Sequence, residues 1–204
     1  MTGDSTKRAR GRPKTFDRAR TLDVAIDSYW RDGLDVVSVN EICRRAGISK
    51  PGLYREFGGE DQLMDAALAH YAETVLAPVL AKLSDDRSFQ ETLDDLVAYA
   101  TRKETPEVPS GCLFAKMRSF RWRLGPVTGE HVDRLRAEAV AAYAAWLQRC
   151  ADADEIDLPA PVEITAGFVE AQLTMMLTQT ALGEDPETLR AHARLTFAVF
   201  TTPR

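Results

Sequence analysis

Between Ser38 and Phe57 the chain starts, stops and restarts a helix, and this punctuation constrains the fold more than any other feature. Ser38 stands three residues before Glu41, a spacing that lets the hydroxyl accept an early helical amide while the carboxylate returns to the Ser38 N–H. Val39, Ile42, Cys43 and Ala46 then recur on one helical face. Gly47 follows, where a left-handed turn residue costs no Cβ clash. Ser49 can cap a second helix, whose first turn tolerates Pro51 because the amide there would lack an intrahelical partner anyway. Leu53 and Phe57 point inward four residues apart, leaving Lys50, Gly52, Tyr54 and Arg55 outside. Two short helices around a glycine make a helix-turn-helix. An outer face of ammonium, hydroxyl and guanidinium groups beside a close-approach glycine suits the major groove of a duplex. An ordinary helical hairpin with a solvated face is the alternative.

The order of signals around this motif, from about Phe16 to Leu68, resembles the DNA-binding domain of TetR-family transcriptional regulators. An amphipathic first helix carries Leu22, Ala25, Ile26 and Tyr29. Then come Gly33-Leu34, the Ser38 start, Gly47-Ile48-Ser49, Leu53-Tyr54, Phe57 and a fourth helix opening near Asp61. The resemblance covers roughly the first third of the chain; the remainder matches no one subfamily pattern. It implies that Ser38 and Tyr54 contact phosphate and that Lys50 and Gly52 meet base edges or backbone. Ser49 and Arg55 complete the expected set on this motif. Two positions depart from the family: many members carry His where this chain has Glu56, and a Ser-Lys pair where it has Gly59-Glu60. A carboxylate beside phosphate is repulsive, so Glu56 and Glu60 are expected to point away from DNA or to pair with Arg55 and Lys50.

Upstream, Lys7, Arg8, Arg10, Arg12 and Lys14 crowd cations into the first fourteen residues. Arg10-Gly11-Arg12-Pro13 is the core of an AT-hook, in which arginines flank a glycine on the floor of a narrow A·T minor groove. Arg10, Arg12 and Lys14 are therefore expected on DNA, with a solubilising terminus as the alternative. Residues 1–57 hold 12 Lys+Arg and 8 Asp+Glu, net +4, whereas residues 58–204 hold 14 and 23, net −9, giving −5 overall. The asymmetry directs docking on DNA through the N-terminal end.

The 204 residues, 45% hydrophobic, suffice for one extended domain or two small ones. No run is long enough to span a bilayer, and no apolar segment with a cleavage site follows the basic N-terminus. Three widely spaced cysteines, Cys43, Cys112 and Cys150, argue against a disulfide framework and for a reducing compartment. A cytoplasmic protein without membrane partner is expected.

Beyond the motif the pattern is helical throughout, so the expected class is all-α with about nine helices. A basic arm over residues 1–15 precedes a helix-turn-helix domain over 16–60 and a helical effector and dimerisation domain over 61–204. A long fourth helix runs from Asp61 to about Leu83, with Leu63, Ala67, His70 or Tyr71, Val75 and Val79 inward and Pro78 as a kink. Further helices are expected over 88–103, 111–124, 128–150, 161–181 and 186–200, the last two each opening on a proline. Ile164, Phe168, Ala171, Met175 and Thr178 form a stripe that Gly167, Leu173, Met176 and Leu177 broaden. Leu189, Leu195, Phe197, Val199 and Phe200 do the same for the final helix. Helices apolar on most sides must be covered on most sides. The family resemblance implies pairing of these two helices with a second copy in a twofold homodimer, which would present two recognition helices to a palindromic operator; a monomeric core is the alternative.

The resemblance also implies an effector cavity among the fourth to eighth helices. Its candidate lining is Tyr99, Cys112, Phe114, Met117, Trp122, Tyr143, Trp146, Phe168, Gln172 and Met176, any one of which reads first as plain core, since aromatic and methionine residues at helical spacing are what cores use. Apolar walls suit a hydrophobic or aromatic small-molecule effector. Cys112 opens a helix, where dipole and free amides favour thiolate, with Lys116, Arg118, Arg121 and Arg123 further along; a thiol-based electrophile or oxidant sensor is the alternative regulator. Cys43 is read as core. No enzyme, cofactor or metal site is expected, because the chain lacks a phosphate-binding glycine loop, a metal-ligand pair and a triad, and His70, His131 and His192 are isolated. A ligand-independent DNA binder would not need so many apolar helices. The regulator reading therefore leads, with repression assumed by analogy.

Overall fold

The computed structural model describes residues 16–84 and 86–200, which are helical with no strand element among them. Helix α1, Arg18–Arg31, begins on Asp17, whose carboxylate accepts the Arg20 amide at 3.0 Å. Helix α2, Val39–Ala46, begins on Ser38, whose hydroxyl accepts the Glu41 amide at 3.3 Å, and ends on Gly47 at φ 69°. The expected return of Glu41 to the Ser38 amide is absent. Its carboxylate instead holds Arg44 at 2.6 Å and Arg45 at 2.7 Å, since two charge-assisted bonds outweigh one to a neutral amide. Helix α3, Lys50–Phe57, is capped by Ser49, which accepts the Gly52 amide at 3.2 Å.

The fourth helix, α4, changes pitch along its length. It is α-helical over Glu60–Tyr71, π-helical over Ala72–Leu76 and α-helical again over Ala77–Ala81. The Ala77 amide reaches back to the Ala72 carbonyl. Pro78 explains the position: it has no N–H for the Thr74 carbonyl and its ring crowds that carbonyl, so the ladder widens in the preceding turn. The expected kink is thus a wide turn before the proline.

Helix α5, Phe89–Ala100, opens on a reciprocal cap between Ser88 and Glu91. It stops short of Lys103 because Thr101 leaves helical geometry and donates its hydroxyl to the Val97 carbonyl. The helix expected over 111–124 is split into α6, Leu113–Ser119, and a 3-10 turn, Arg121–Arg123, at Phe120. Helix α7 is Pro126–Asp152, α8 is Val162–Ala181 with Pro161 as its cap, and α9 is Pro186–Phe197, three residues shorter than expected.

Two apolar cores result. The first joins Leu22, Ala25 and Tyr29 of α1 with Ile42, Leu53, Leu63, Leu68 and Tyr71, and also takes in Leu113, Met117 and Val132 from α6 and α7. The second packs Leu93, Trp146, Leu147, Val169, Leu173, Met176 and Phe197 among α5, α7, α8 and α9. Phe89 stacks on Trp146 with centroids 5.1 Å apart. No helix among the described residues is long and apolar enough to cross a membrane.

Candidate nucleic-acid interface and apolar cavity

Helix α3 is held from behind and open in front. Leu53 and Phe57 are buried, while Lys50, Tyr54 and Arg55 are exposed, with Ser49 and Ser38 exposed at the two helix starts. The Lys50 ammonium lies 5.5 Å from the Tyr54 ring centroid, so the two form one patch. Gly52, expected on the outer face, is buried instead: its amide serves the Ser49 cap, and a Cβ there would meet the Ser49 hydroxyl at 3.1 Å. Arg10, Arg12 and Lys14 lie outside the described residues.

Several acids of this end are paired away from α3, although Asp17 shares the depression beside Ser49 and Arg55. Asp27 and Glu104 hold Arg31, Asp32 and Glu41 hold Arg45, and Glu56 lies 3.5 Å from Arg18 rather than beside Arg55. Among the described residues no carboxylate pairs with Lys50 or Arg55. Residues 16–57 hold seven Lys+Arg and seven Asp+Glu, so the positive excess of this end comes wholly from residues 1–15. Two cations escaped the sequence reading. Arg44 is 71% exposed at the end of α2, and Arg20 shares a surface depression with Ser49, Gly52 and Arg55. Their places off the apolar stripes of α1 and α2 were the available signal.

Behind this unit lies a cavity of about 320 Å³ between the π segment of α4 and helices α5 to α8. Tyr99, Cys112, Phe114 and Tyr143 line it as expected, with Leu76, Leu96, Leu135, Leu173 and Leu177. Six candidates do not. Met117 and Met176 are fully buried in the cores, and Trp146 is packed on Phe89. Phe168 packs edge-on to Phe197, Gln172 is half-exposed on α8, and Trp122 is 78% exposed on the 3-10 turn. Apolar character alone could not separate wall from core, because both faces of α8 carry it.

The acidic groups of the wall were not anticipated. Glu170, 4% exposed on α8, accepts from Arg118 and from the Thr174 hydroxyl at 3.0 Å. A carboxylate among apolar neighbours in the α8 sequence was the signal. Burial, then the Glu170 charge, pushes the Tyr143 hydroxyl up.

Cys112 sits as a packed core residue, not in the setting that a reactive thiolate needs. It is fully buried and caps a short helix, and its sulfur accepts the Tyr71 hydroxyl at 3.3 Å. Burial pushes its thiol up, outweighing the Tyr71 bond and nearby amides. The cations expected to activate it are engaged elsewhere: Lys116 donates to the Trp30 carbonyl, Arg118 to Glu170 and Arg121 to Asp133 at 2.9 Å, and Arg123 lies over the Trp122 ring at 5.5 Å.

Helix α4 connects the two regions. At its start Asp61 accepts the Val127 and Thr128 amides of α7 at 2.9 and 3.1 Å, and one turn on Asp65 meets His131 at 2.6 Å. Its π segment then supplies Ala72, Glu73 and Leu76 to the cavity wall.

The model of bacterial regulatory proteins of the tetR family matches residues 22–67. The chain is 32% identical over 142 residues to the HTH-type transcriptional repressor ComR of Escherichia coli (strain K12), covering 67% of this chain and 66% of that protein. It is 32% identical over 103 residues to the HTH-type transcriptional repressor BdcR of the same organism, covering 50% and 52%. The alignments thus span between about half and two thirds of these relatives. Among solved structures, E. coli NemR in its reduced form superposes with a TM-score of 0.76 at 17% identity, covering 91% of this chain and 98% of that one, a likeness of fold. A cysteine mutant of the TetR family transcriptional regulator CifR, complexed with 26bp double-strand operator DNA, superposes with a TM-score of 0.74 at 25% identity, covering 91% and 97%. Matched motif, relatives and architecture agree: the chain belongs to the TetR family of bacterial regulatory proteins, and its helix-turn-helix is a DNA-binding domain of that type.

Proposed function

We propose that this chain is a sequence-specific transcriptional regulator, a repressor that binds a palindromic operator as a homodimer and is released when a small molecule enters the cavity. One observation carries the reading: α3 presents Lys50, Tyr54 and Arg55 to solvent while Leu53 and Phe57 anchor it from behind. A helix so mounted can enter a major groove without disturbing the core beneath it. Ser38, Ser49, Arg44 and Arg20 stand beside it to meet phosphate, Gly52 leaves room for the Ser49 cap that starts it, and the arm with Arg10, Arg12 and Lys14 serves the adjacent minor groove. ComR and BdcR, both called repressors, and the CifR complex with operator DNA support the same assignment.

Dimerisation is proposed through α8 and α9. Ile164, Met175, Leu182, Leu195 and Val199 are exposed, and along α8 they continue a stripe with half-buried Phe168 and Thr178. Leu173 and Met176, grouped with this stripe in the sequence, face the opposite way into the second core. Effector binding acts on the π segment of α4, and the rigid half ahead of it, clasped to α7, shifts α3 relative to its counterpart in the dimer. The test is selection of bound fragments from random DNA by the wild-type chain and by Lys50→Ala and Tyr54→Ala. Both variants should bind the selected palindrome at least tenfold more weakly with unchanged thermal stability. Recovery of the same sites at undiminished strength would remove the assignment.

A further inference from the structure

The cavity carries acid and no base. The charged residues of its wall are Glu73, Glu138 and Glu170, and among the described residues no Lys, Arg or His lines it. Glu73 on the π segment and Glu138 on α7 are both wall residues and exposed, which puts the opening beside them, with the Arg134 Nε 3.9 Å from Glu138; Glu170 is buried on the inner wall. Only one Glu170 oxygen is used. Its Oε1 accepts from Arg118 and Thr174, whereas Oε2, shielded from water, accepts no hydrogen bond, with the Arg136 Nε 3.7 Å away. Neither guanidinium belongs to the cavity wall, so both compensate the carboxylate from outside. A carboxylate oxygen only accepts, and a buried acceptor left unmet is unfavourable until a donor arrives. Tyr143 adds an aromatic ring, whose face attracts cations, to a largely apolar wall, while Tyr99 and Phe114 already carry the Arg102 and Arg118 guanidiniums at 4.2 and 5.8 Å from their ring centroids.

We infer that the cavity takes an organic cation: an apolar or aromatic body bearing one protonated amine, whose N–H donates to Glu170 Oε2 and whose charge is drawn in past Glu73 and Glu138. The inference rests on reading the cavity as the effector site and names the chemistry of its occupant. An anion meets carboxylates at both the mouth and the inner wall. A neutral alcohol satisfies Oε2 but gains nothing at the mouth.

The test uses 4-phenylbutylammonium, 4-phenylbutanol and 4-phenylbutyrate, which share one apolar body and differ in head group, titrated calorimetrically into the full chain. The ammonium compound is expected to bind at least tenfold more tightly than the alcohol, and the carboxylate not at all. Glu170→Gln is expected to weaken the ammonium compound tenfold or more and the alcohol less than threefold. Should that variant fail to fold, Glu73→Gln with Glu138→Gln, both on the exposed rim, is expected to weaken the ammonium compound about threefold and to reduce the salt dependence of its binding. Equal binding of all three compounds, tighter binding of the carboxylate, absence of binding by all, or indifference of the ammonium compound to these changes would overturn the inference. Release of labelled operator DNA is read separately by fluorescence anisotropy. An ammonium compound that binds through Glu170 but leaves DNA bound refutes the effector reading and not the ligand class. Release by the carboxylate does the reverse.

Discussion

Asp61 and Thr128 hold each other across two helix starts. The Thr128 hydroxyl, with one proton, lies 2.6 Å from Asp61 Oδ1 and 2.9 Å from the Asp61 carbonyl oxygen, and the carboxylate accepts the Thr128 amide at 3.1 Å. Asp61 sits in the first turn of α4, four residues after Phe57 ends α3, so this clasp sets how the recognition helix is carried by the body. It is also a carboxylate at the N-terminus of α7, where the peptide dipoles favour negative charge.

The clasp makes stability depend on acid. Burial pushes the Asp61 carboxyl up, but the donors of Thr128 and Val127 outweigh it and hold it below the usual 3.8. A folded pKa below the unfolded one gives stabilisation that is complete above the unfolded value and lost as pH falls through the folded one. Asp61→Asn is expected to cost about 1 kcal/mol at neutral pH. It should also flatten the acid limb below about pH 4. Thermal unfolding from pH 3 to 7 checks both; parallel profiles for the two proteins would contradict the assignment.

Gly111 and Gly183 make a matched pair. Both have positive φ, 73° and 87°, but a Cβ on Gly111 would lie 2.7 Å from the Ala181 Cβ and 2.8 Å from the Leu177 carbonyl oxygen, whereas one on Gly183 meets nothing within 4 Å. Gly183→Ala should cost only left-handed strain, about 1–2 kcal/mol. Gly111→Ala should cost clearly more, because helix α8 must move. Denaturant unfolding of the two variants compares them, and equal losses would show that the loop before α6 yields freely.

The cysteines should be slow. All three are buried, burial pushes each thiol up, and Cys150 reaches about 11. Since thiolate is the reactive form, an aromatic disulfide reagent at pH 7.5 should titrate less than one thiol per chain until denaturant is added. Cys112→Ser should leave release of DNA by alkylating agents unchanged. A fast-reacting Cys112, or loss of release in the variant, would restore the thiol-sensor reading.

The outer stripe predicts an assembly. Ile164 is 64% and Leu195 77% exposed in the single chain, a poor arrangement for a monomer. Ile164→Glu combined with Leu195→Glu should convert a dimer to monomer in sedimentation experiments, weaken palindrome binding by at least tenfold, and leave helix content unchanged. An undiminished dimer would place the interface elsewhere.

The helix-turn-helix was legible because Ser38, Gly47 and Ser49 act through neighbours within one turn, and helical spacing alone marks Leu53 and Phe57 as inward. Gly52 was misplaced because the Ser49 cap folds over it. The cavity was legible only in part, since whether Tyr143 or Trp146 faces it depends on a small rotation of α7 that sequence spacing does not resolve. Glu170 and Asp61 were missed because their partners, Arg118 and Thr128, lie 52 and 67 residues away. Pro78 signalled a disturbance in α4 but not the wide turn that brings Glu73 to the cavity mouth.

The first core crosses the line at residue 60 that the motif alone suggests. Trp30 packs edge-on to Tyr71 and donates to the Ser110 carbonyl at 3.1 Å, Arg31 donates to the Pro106 carbonyl, and Leu113 and Met117 share the core of α1. A chimaera that grafted residues 1–60 onto a foreign body would therefore bare tryptophan and leucine surface that this chain keeps dry. Swapping specificities within such proteins requires transplanting the loop before α6 and the underside of α6 together with the reading head.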